Sequence, residues 1–410
     1  MQQGLVMHAP VQPLVASGAT AASRAGATIG IIANPVSARD IRRVVANAGN
    51  LQITDRVNIV LRVLSSAAAC GVRCALVMPD RGGIRALLER HLKRQHHHHQ
   101  HHEPLGSQRA GGGGSGHSEF PQVEFLDMEP ESTVDDTFTA TRLLVRAAVS
   151  AIVVLGGDGT HRAVARALVA AGSRIPIAGL STGTNNAFPE MREPTIVGMA
   201  VGLYAGGRIP EAEALAPNKL IEVQIVDRVR GDQSDIAIVD AVVTHDRSVG
   251  ARALWKTSSL DAAYLAFADP QSIGLSAIGA LLQPVGRREP GGLAVQLAQP
   301  GVDDGDGDGG GEPATAAPPT TTLHAPIAPG MVRPVQVASW RRMAAGEPHT
   351  VAARAGTVAL DGERELAFEP GQRVLMTLRE NAFLTVDVAA CMAAAARDGL
   401  LRSLSSSPTH

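Results

Sequence analysis

A single carboxylate stands among glycines in the stretch LGGDGT, residues 155–160. Glycines between a buried strand and a helix expose backbone amides, and the positive end of the helix favours phosphate there. Asp158 adds chemistry, because a carboxylate beside phosphates can hold Mg²⁺ or accept the proton of an attacking hydroxyl. The alternative is a tight turn in which Asp158 only caps the helix. The candidate phosphate-binding residues are Gly156, Gly157, Gly159 and Thr160.

Two further groups of small polar residues follow predicted strands. Because the carboxyl ends of parallel strands meet at one edge of a sheet, where ligands bind, we expect these groups to lie close to Asp158. They are Asn34, Pro35 and Ser37 after the first strand, and Ser181, Thr182, Gly183, Thr184, Asn185 and Asn186 after the fifth.

The elements that position these residues alternate between strand and helix. The short apolar runs ATIGIIAN, VRCALVMPD, PQVEFLDM, AIVVL and IPIAGL are predicted strands, and amphipathic stretches such as TVDDTFTATRLLVRAAV and THRAVARALVAAG are predicted helices. This order indicates a parallel sheet with helices on both faces. After residue 210 the pattern changes to alternating strands with Gly/Pro turns, among them KLIEVQIVDRVR, DIAIVDAVVTHD and QRVLMTLRE. This half is predicted to be mainly antiparallel β, with helices only at SLDAAYLAFA and VAACMAAAARDG.

Low-complexity segments set the predicted domain limits. We expect a disordered lead at 1–27, a His- and Gly-rich disordered insert at 94–118, an acidic Gly/Pro-rich insert at 301–324 and a tail at 401–410. The ordered parts then form an α/β domain over 28–210 and a β-rich domain over 211–400. The histidines between 96 and 102 have no fixed spacing geometry, so they are not assigned to a metal site.

Composition excludes some partners. A net charge of −2 and an aromatic content of 3% argue against a nucleic-acid-binding surface. No apolar run is long enough to cross a bilayer, and the first residues lack the pattern of a secretory signal. We therefore expect a cytoplasmic protein without a membrane partner.

LGGDGT, with an upstream NP-x-S and a downstream GTNN, resembles the superfamily that unites ATP-dependent NAD kinases with diacylglycerol and sphingosine kinases. The stretches IIANPVSARDIRR, STGTNNAFPEMREPT and GLSAIGALLQPVG are most similar to the ATP-NAD kinase-like proteins of acetoin catabolism, the AcoX type. The resemblance implies a Rossmann-like N-terminal domain, a β-rich, sandwich-like C-terminal domain, and a nucleotide site in the cleft between them. It also implies Mg²⁺ or another divalent cation, ATP as phosphoryl donor, and homo-oligomers.

The resemblance also implies roles for single residues. Asp158 would be catalytic, its neighbouring glycines and Thr160 would hold phosphates, and the other polar groups would contact nucleotide. LDGE resembles a C-terminal element of the same kinases, which makes Asp361 and Glu363 further candidates; the alternative is a hairpin turn with Asp-Gly at its tip. The remaining nucleotide-contacting candidates are Asn34, Ser37, Gly183, Thr184, Asn185 and Asn186.

The implied activity is transfer of the γ-phosphoryl group of ATP to a ribose hydroxyl of NAD. Three departures leave other functions open. NAD kinases carry an Asn-Glu pair where this chain has Asp240 and Ala241, their Gly/Thr-rich loop is reduced to Ser276 as its hydroxyl, and Ala38 and Arg39 alter the first loop. The alternatives are a kinase of another small alcohol linked to acetoin catabolism, a lipid kinase, and a nucleotide-binding sensor that does not catalyse.

Several charged residues near these motifs have two interpretations. His161 and Arg162 begin the helix after Asp158 and either contact phosphate or are solvated first-turn residues. His245 and Asp246 either contact the acceptor or form a surface turn. Arg42 and Arg43 are expected on the solvent side of the first helix.

Overall fold

The computed structural model describes residues 27–34, 52–101, 119–182, 186–245, 259–298, 320–353 and 355–402, without the side chains of 95–101, 364 and 365. Ser37, Arg42, Arg43, Gly183, Thr184, Asn185 and Asp246 of the sequence-based predictions lie outside these residues.

The first part of the chain forms a parallel sheet, as the sequence predicts. Its strands stand in the order β3-β2-β1-β4-β5, and every neighbouring pair is parallel. Strand β4 is buried along its whole length, and β1 and β2 are buried at all but one position each, which explains their continuous apolar sequences. The strands are β1 (Ala27–Ala33), β2 (Val72–Val77), β3 (Gln122–Phe125), β4 (Ile152–Gly156) and β5 (Ile177–Ser181).

Helices cover both faces of this sheet. The bounds are α1 (Ile53–Ala69), α2 (Ile84–His101), α3 (Val134–Arg146), α4 (Asp158–Ala170) and α5 (Pro194–Ala205), followed by the short α6 (Glu211–Ala214). Helices α3 and α4 pack in one core, whereas α1, α2 and α5 pack in another on the opposite face. Local signals start several of them: Thr133 caps α3, and Glu193 caps α5 with Pro194 as its first residue.

The second part of the chain adds strands to the same sheet. Strand β16 (Arg373–Val386) pairs with β5, then β6 (Leu215–Val226) pairs with β16, and β7 (Gln233–Ala237) closes the edge; β13 (Pro348–Thr350) also pairs with β16. We call this nine-stranded sheet sheet A. The final helix, α8 (Val388–Arg397), packs on the α1 and α5 side.

An antiparallel sheet of seven strands, sheet B, packs against this extension. Its order is β11-β12-β10-β9-β8-β14-β15. Val243, Tyr264 and Val358 of sheet B share a core with Val223 and Met376 of sheet A, which is the sandwich that the resemblance implies. The elements are β8 (Asp240–Thr244), β9 (Leu260–Leu265), α7 (Ser276–Ala280), β10 (Gly292–Leu297), β11 (Thr321–Ala328), β12 (Met331–Met343), β14 (Gly356–Leu360) and β15 (Glu363–Phe368).

Four local predictions are wrong. SLDAAYLAFA is not a helix but contains β9, which lies inside sheet B and is buried on both faces, so its sequence loses the alternation that would have marked a strand. DIAIVDAVVTHD is two strands, β7 in sheet A and β8 in sheet B. Helix α2 continues to His101, past the predicted start of the insert at 94, and β11 begins at Thr321, before the predicted end of the second insert at 324.

Candidate active site

Asp158 is the first residue of α4, and only Gly157 separates it from the end of β4. Gly157 is the N-cap of the helix and offers no side chain to cap it. The two carboxylate oxygens of Asp158 accept hydrogen bonds from the amides of Ala187 (2.9 Å to Oδ2) and Phe188 (2.8 Å to Oδ1). The segment after β5 therefore holds the carboxylate in place, while the helix N-terminus is left without a side-chain cap.

Gly156 and Gly157, which precede Asp158, lie so close to neighbouring side chains that a Cβ atom would not fit. A Cβ atom on Gly156 would lie 2.5 Å from Cβ of Thr160, and one on Gly157 would lie 2.8 Å from Oδ1 of Asn186. Asn186 is itself fixed, because its Nδ2 donates to Oγ of Ser181 at 2.8 Å. The turn after β4 and the turn after β5 thus touch through a glycine backbone.

Two hydroxyls flank Gly156. Thr160 Oγ1 lies beside it, and Thr182 donates its backbone amide to the Gly156 carbonyl at 3.3 Å. Within the described part of the chain, neither the Thr160 nor the Thr182 hydroxyl, both buried, has a hydrogen-bond partner. Orphaned hydroxyls beside an uncapped helix N-terminus fit a phosphate ligand.

Asn34 lies at the same edge of the sheet, but its side chain hydrogen-bonds to the start of α3. Its Nδ2 donates to the carbonyl of Thr133 (2.9 Å) and to Oγ1 of Thr137 (3.1 Å). These bonds fix the end of β1 to the start of α3. Arg56, buried in α1, donates to the Asn34 carbonyl.

Arg162 points at carboxylates of the C-terminal half. Its guanidinium lies 3.7 Å from Asp235, 3.6 Å from Asp361 and 3.6 Å from Glu363, and its side chain is only 9% exposed. Of the two interpretations of Arg162, a solvated first-turn residue is wrong, and the cation is neutralised by acids. Together, Arg162 and these three acids, which we call the Arg162 cluster, join α4 to both sheets.

The LDGE element is a hairpin turn and also part of this cluster. Leu360 pairs with Glu363, so Asp361 and Gly362 form a two-residue turn in which both have positive φ, 51° and 85°. The hairpin brings Glu363 beside α4, with Oε1 3.3 Å from where a Cβ on Gly159 would lie. The hairpin-turn interpretation is therefore confirmed, and the role of Asp361 and Glu363 as site acids stays a prediction.

Asp361 is buried in an environment that favours its protonated form. Burial raises the pKa of Asp361 to about 7, and the charge of Asp158 acts in the same direction, whereas Arg162 opposes it. Backbone amides of Ile238, Val239 and Asp240 donate to its carboxylate where the chain passes from β7 to β8. Burial and the charge of Asp158 thus favour the protonated form of Asp361, whereas these amides and Arg162 favour its carboxylate.

His161 belongs to the core. Its ring is fully buried, Nδ1 hydrogen-bonds the Gly157 carbonyl at 2.8 Å, and a Cβ on Gly179 would lie 2.8 Å from Nε2. Burial lowers the pKa of His161 to about 4, so the ring is neutral at physiological pH. Neither suggested role, phosphate contact or solvated residue, describes it.

His245 is an exposed residue after β8, with Nε2 3.8 Å from Asp261. This position agrees with the surface-turn interpretation.

Sequence reasoning missed Arg287, which lies in the loop between α7 and β10. Its Nη2 donates to the carbonyl of Ala187, the residue whose amide binds Asp158. A run such as GRREPGG looks like an ordinary solvated turn, and no spacing marks one arginine from its neighbour. The position of Arg287 beside Phe188 arises only from the tertiary fold, so the local sequence does not indicate it.

The comparisons with known proteins match the two halves of the chain to two different family models. Residues 29–209 match the family model described as ATP-NAD kinase N-terminal domain, and residues 219–381 match the acetoin catabolism protein X C-terminal domain. A relative, acetoin catabolism protein X of Cupriavidus necator, is 54% identical over 386 residues, which is 94% of this chain and 97% of the relative. The chain belongs to the acetoin catabolism protein X family.

Solved structures are more distant from this member of the acetoin catabolism protein X family. Yeast NADH kinase complexed with NADH is 9% identical with a TM-score of 0.42, covering 95% of this chain and 91% of that one. A diacylglycerol kinase from Bacillus anthracis is 14% identical with a TM-score of 0.32, covering 65% and 85%. The family assignment rests on the sequence matches, and the kinase N-terminal domain supports a kinase-type phosphotransferase. In the described part of the chain, no helix is long and apolar enough to cross a membrane.

Proposed function

We propose that this protein transfers the γ-phosphoryl group of ATP to a hydroxyl of a small acceptor, with a ribose hydroxyl of NAD as the first acceptor to test. One observation carries the proposal: a carboxylate fixed by two backbone amides stands at the uncapped, glycine-rich N-terminus of a buried 13-residue helix. Phosphoryl transfer needs mostly positioning and charge stabilisation, which such an arrangement provides.

The amides at the start of α4 would bind phosphate oxygens, together with the Thr160 hydroxyl. The absence of side chains at Gly156, Gly157 and Gly159 lets a ligand approach this backbone. Asp158 would orient the acceptor hydroxyl and take its proton. Because both of its oxygens already accept an amide hydrogen bond, its direction is set before substrate binds.

The carboxylates near the start of α4 fit a divalent cation such as Mg²⁺. In proteins Mg²⁺ usually binds one or two carboxylates and takes its other ligands from phosphates and water. Asp158 is the first carboxylate, and Glu363, beside Gly159 and partly exposed, is the second. Within the described residues there is no cluster of three or more metal-binding side chains, so a site made by protein alone is not supported. When bound with ATP, the cation would neutralise phosphate charge.

One observation favours an acceptor other than NAD. Ala241, which stands where NAD kinases carry a glutamate, is fully buried in β8, and the neighbouring Asp240 is also buried. The pair therefore presents no exposed carboxylate for a ribose. The 54% identical relative is named for acetoin catabolism, so acetoin and related small alcohols form the second class of acceptor.

The test is an end-point assay on the full chain. Purified protein is incubated with Mg-ATP and NAD, and NADP⁺ is measured with an NADP-specific dehydrogenase. In parallel, ADP release is followed with acetoin and with vicinal diols as acceptors. Asp158→Asn keeps the size of the side chain and is expected to lower turnover at least about 100-fold.

A matched control is Asp135→Asn, because Asp135 is an exposed acid in the first turn of the neighbouring helix α3. It should retain wild-type turnover. If NADP⁺ forms in an Asp158-dependent way, NAD is the acceptor; if only ADP release with a small alcohol depends on Asp158, the second class is correct. Calorimetric binding of ATP without turnover of any acceptor would refute the kinase and favour a sensor.

A further inference from the structure

The loop that carries Arg287 is held rigidly by one lysine. Lys219, buried in β6, donates from Nζ to the carbonyls of Gly286 (2.9 Å), Glu289 (2.7 Å) and Gly291 (2.7 Å). All three donors of the ammonium are therefore used by one loop. Such a clamp fixes the backbone on both sides of Arg287.

Arg287 is equally constrained at its other end. Its guanidinium carbon lies 5.0 Å from the ring centre of Phe188 and 4.6 Å from that of Phe267, so the cation is sandwiched between two aromatic rings. Burial lowers the pKa of Arg287, while the carboxylates of Glu190 and Asp158 favour its charged form. An arginine remains protonated under such conditions, so a positive charge is held here permanently.

The peptide unit between Ala187 and Phe188 connects this charge to Asp158. Its carbonyl oxygen accepts a hydrogen bond from Arg287 Nη2, and its N–H donates to Asp158 Oδ1 at 2.8 Å. A cation on the carbonyl polarises the amide and strengthens its N–H as a donor, because hydrogen bonds in series reinforce each other. The carboxylate is thereby bound more firmly than a lone backbone amide would bind it.

We propose that Arg287 is a positioning residue that aims the Asp158 carboxylate through the Ala187–Phe188 peptide. In its catalytic consequence this inference rests on the proposed function; the hydrogen-bond relay itself does not. If Arg287 only filled space, its charge would not be needed. An apolar side chain of similar length would fill the slot between the two aromatic rings without the cost of desolvating a guanidinium.

The relay is tested first without any activity. The chain has seven phenylalanines, so ¹⁵N-phenylalanine labelling gives a short amide spectrum in which Phe188 is assigned with Phe188→Leu. Arg287→Met fills the slot and removes the charge. We expect its Phe188 amide proton to move upfield, because a weaker hydrogen bond deshields the proton less. Arg288→Met is the matched control, since Arg288 is exposed and pairs with Asp387.

If Arg287→Met does not fold, as judged by thermal denaturation, Arg287→Lys replaces it. Its ammonium keeps the charge but cannot stack as a plane, and a smaller shift in the same direction is expected. A Phe188 signal that stays at the wild-type position in the Arg287 variant that folds, or that moves equally in Arg288→Met, would overturn the relay.

Turnover of ATP with the acceptor found above gives the second readout. Arg287→Met should lower kcat about 10- to 100-fold while KM for ATP stays within about threefold, since the carboxylate and not the phosphate site is disturbed. Arg287→Ala leaves the slot open, so millimolar guanidinium should restore part of the kcat of this variant. It should restore none of the kcat of Arg287→Met, in which the slot is filled. A loss confined to KM would overturn the positioning role. If the wild-type protein turns over no acceptor but the Phe188 signal moves as expected, the relay stands and the proposed function fails.

Discussion

Protonation of His161 should make the fold sensitive to acid. Its pKa is about 4 in the folded protein, because the ring is fully buried, against 6.5 for the free side chain. Between pH 6.5 and pH 4 the unfolded chain therefore binds a proton at this residue and the folded chain does not. The free energy of unfolding consequently decreases as the pH is lowered. Linkage over these two pKa values gives a loss of about 2 kcal/mol between pH 7 and pH 5.

The perturbation that isolates this effect is His161→Leu, which is close in volume and cannot be protonated. Urea denaturation at a series of pH values should show that the variant loses about 2 kcal/mol less than the wild type between pH 7 and pH 5. His245→Asn is the control, because it removes an exposed histidine and should follow the wild-type curve. Parallel curves for the wild type and His161→Leu would refute the buried, neutral ring and would return His161 to the candidates for phosphate contact.

Two further substitutions test the geometry around α4. Gly157→Ala places a Cβ 2.8 Å from Asn186 Oδ1, so it should displace the turn after β5 and reduce turnover about tenfold or more, with ATP binding measured by calorimetry as the companion readout. An unchanged kcat would show that this contact is dispensable. Arg162→Met removes the cation from buried Asp235 and Asp361 and should lower the free energy of unfolding by about 3 kcal/mol in urea denaturation at pH 8. A loss below 1 kcal/mol would mean that the acids do not depend on it.

The parallel sheet could be predicted from sequence because its strands are short apolar runs bounded by glycine and polar residues. Strand β9 could not, because burial on both faces removed the alternation that distinguishes a strand from a helix. The GGDGT turn was visible because glycine and acid residue types are informative at a strand end. Asp235 offered a weaker signal, an acid in a buried strand, that only its contact with Arg162 explains.

Sheet A continues from β5 through β16 into β6 and β7, so strands from both ends of the chain lie beside α4. That continuity brings Asp235 of β7 to Arg162, whereas sheet B, which packs against this extension, brings the β14–β15 hairpin to Arg162 and the loop before β10 to the Ala187 carbonyl. Asp158 and the two amides that hold its carboxylate, those of Ala187 and Phe188, thus belong to the N-terminal region, whereas Arg287, which donates to the Ala187 carbonyl, follows residue 211. We therefore expect the glycine-rich turn to serve phosphate binding and the C-terminal half, through Arg287, to set the direction of the carboxylate and with it the choice of acceptor hydroxyl.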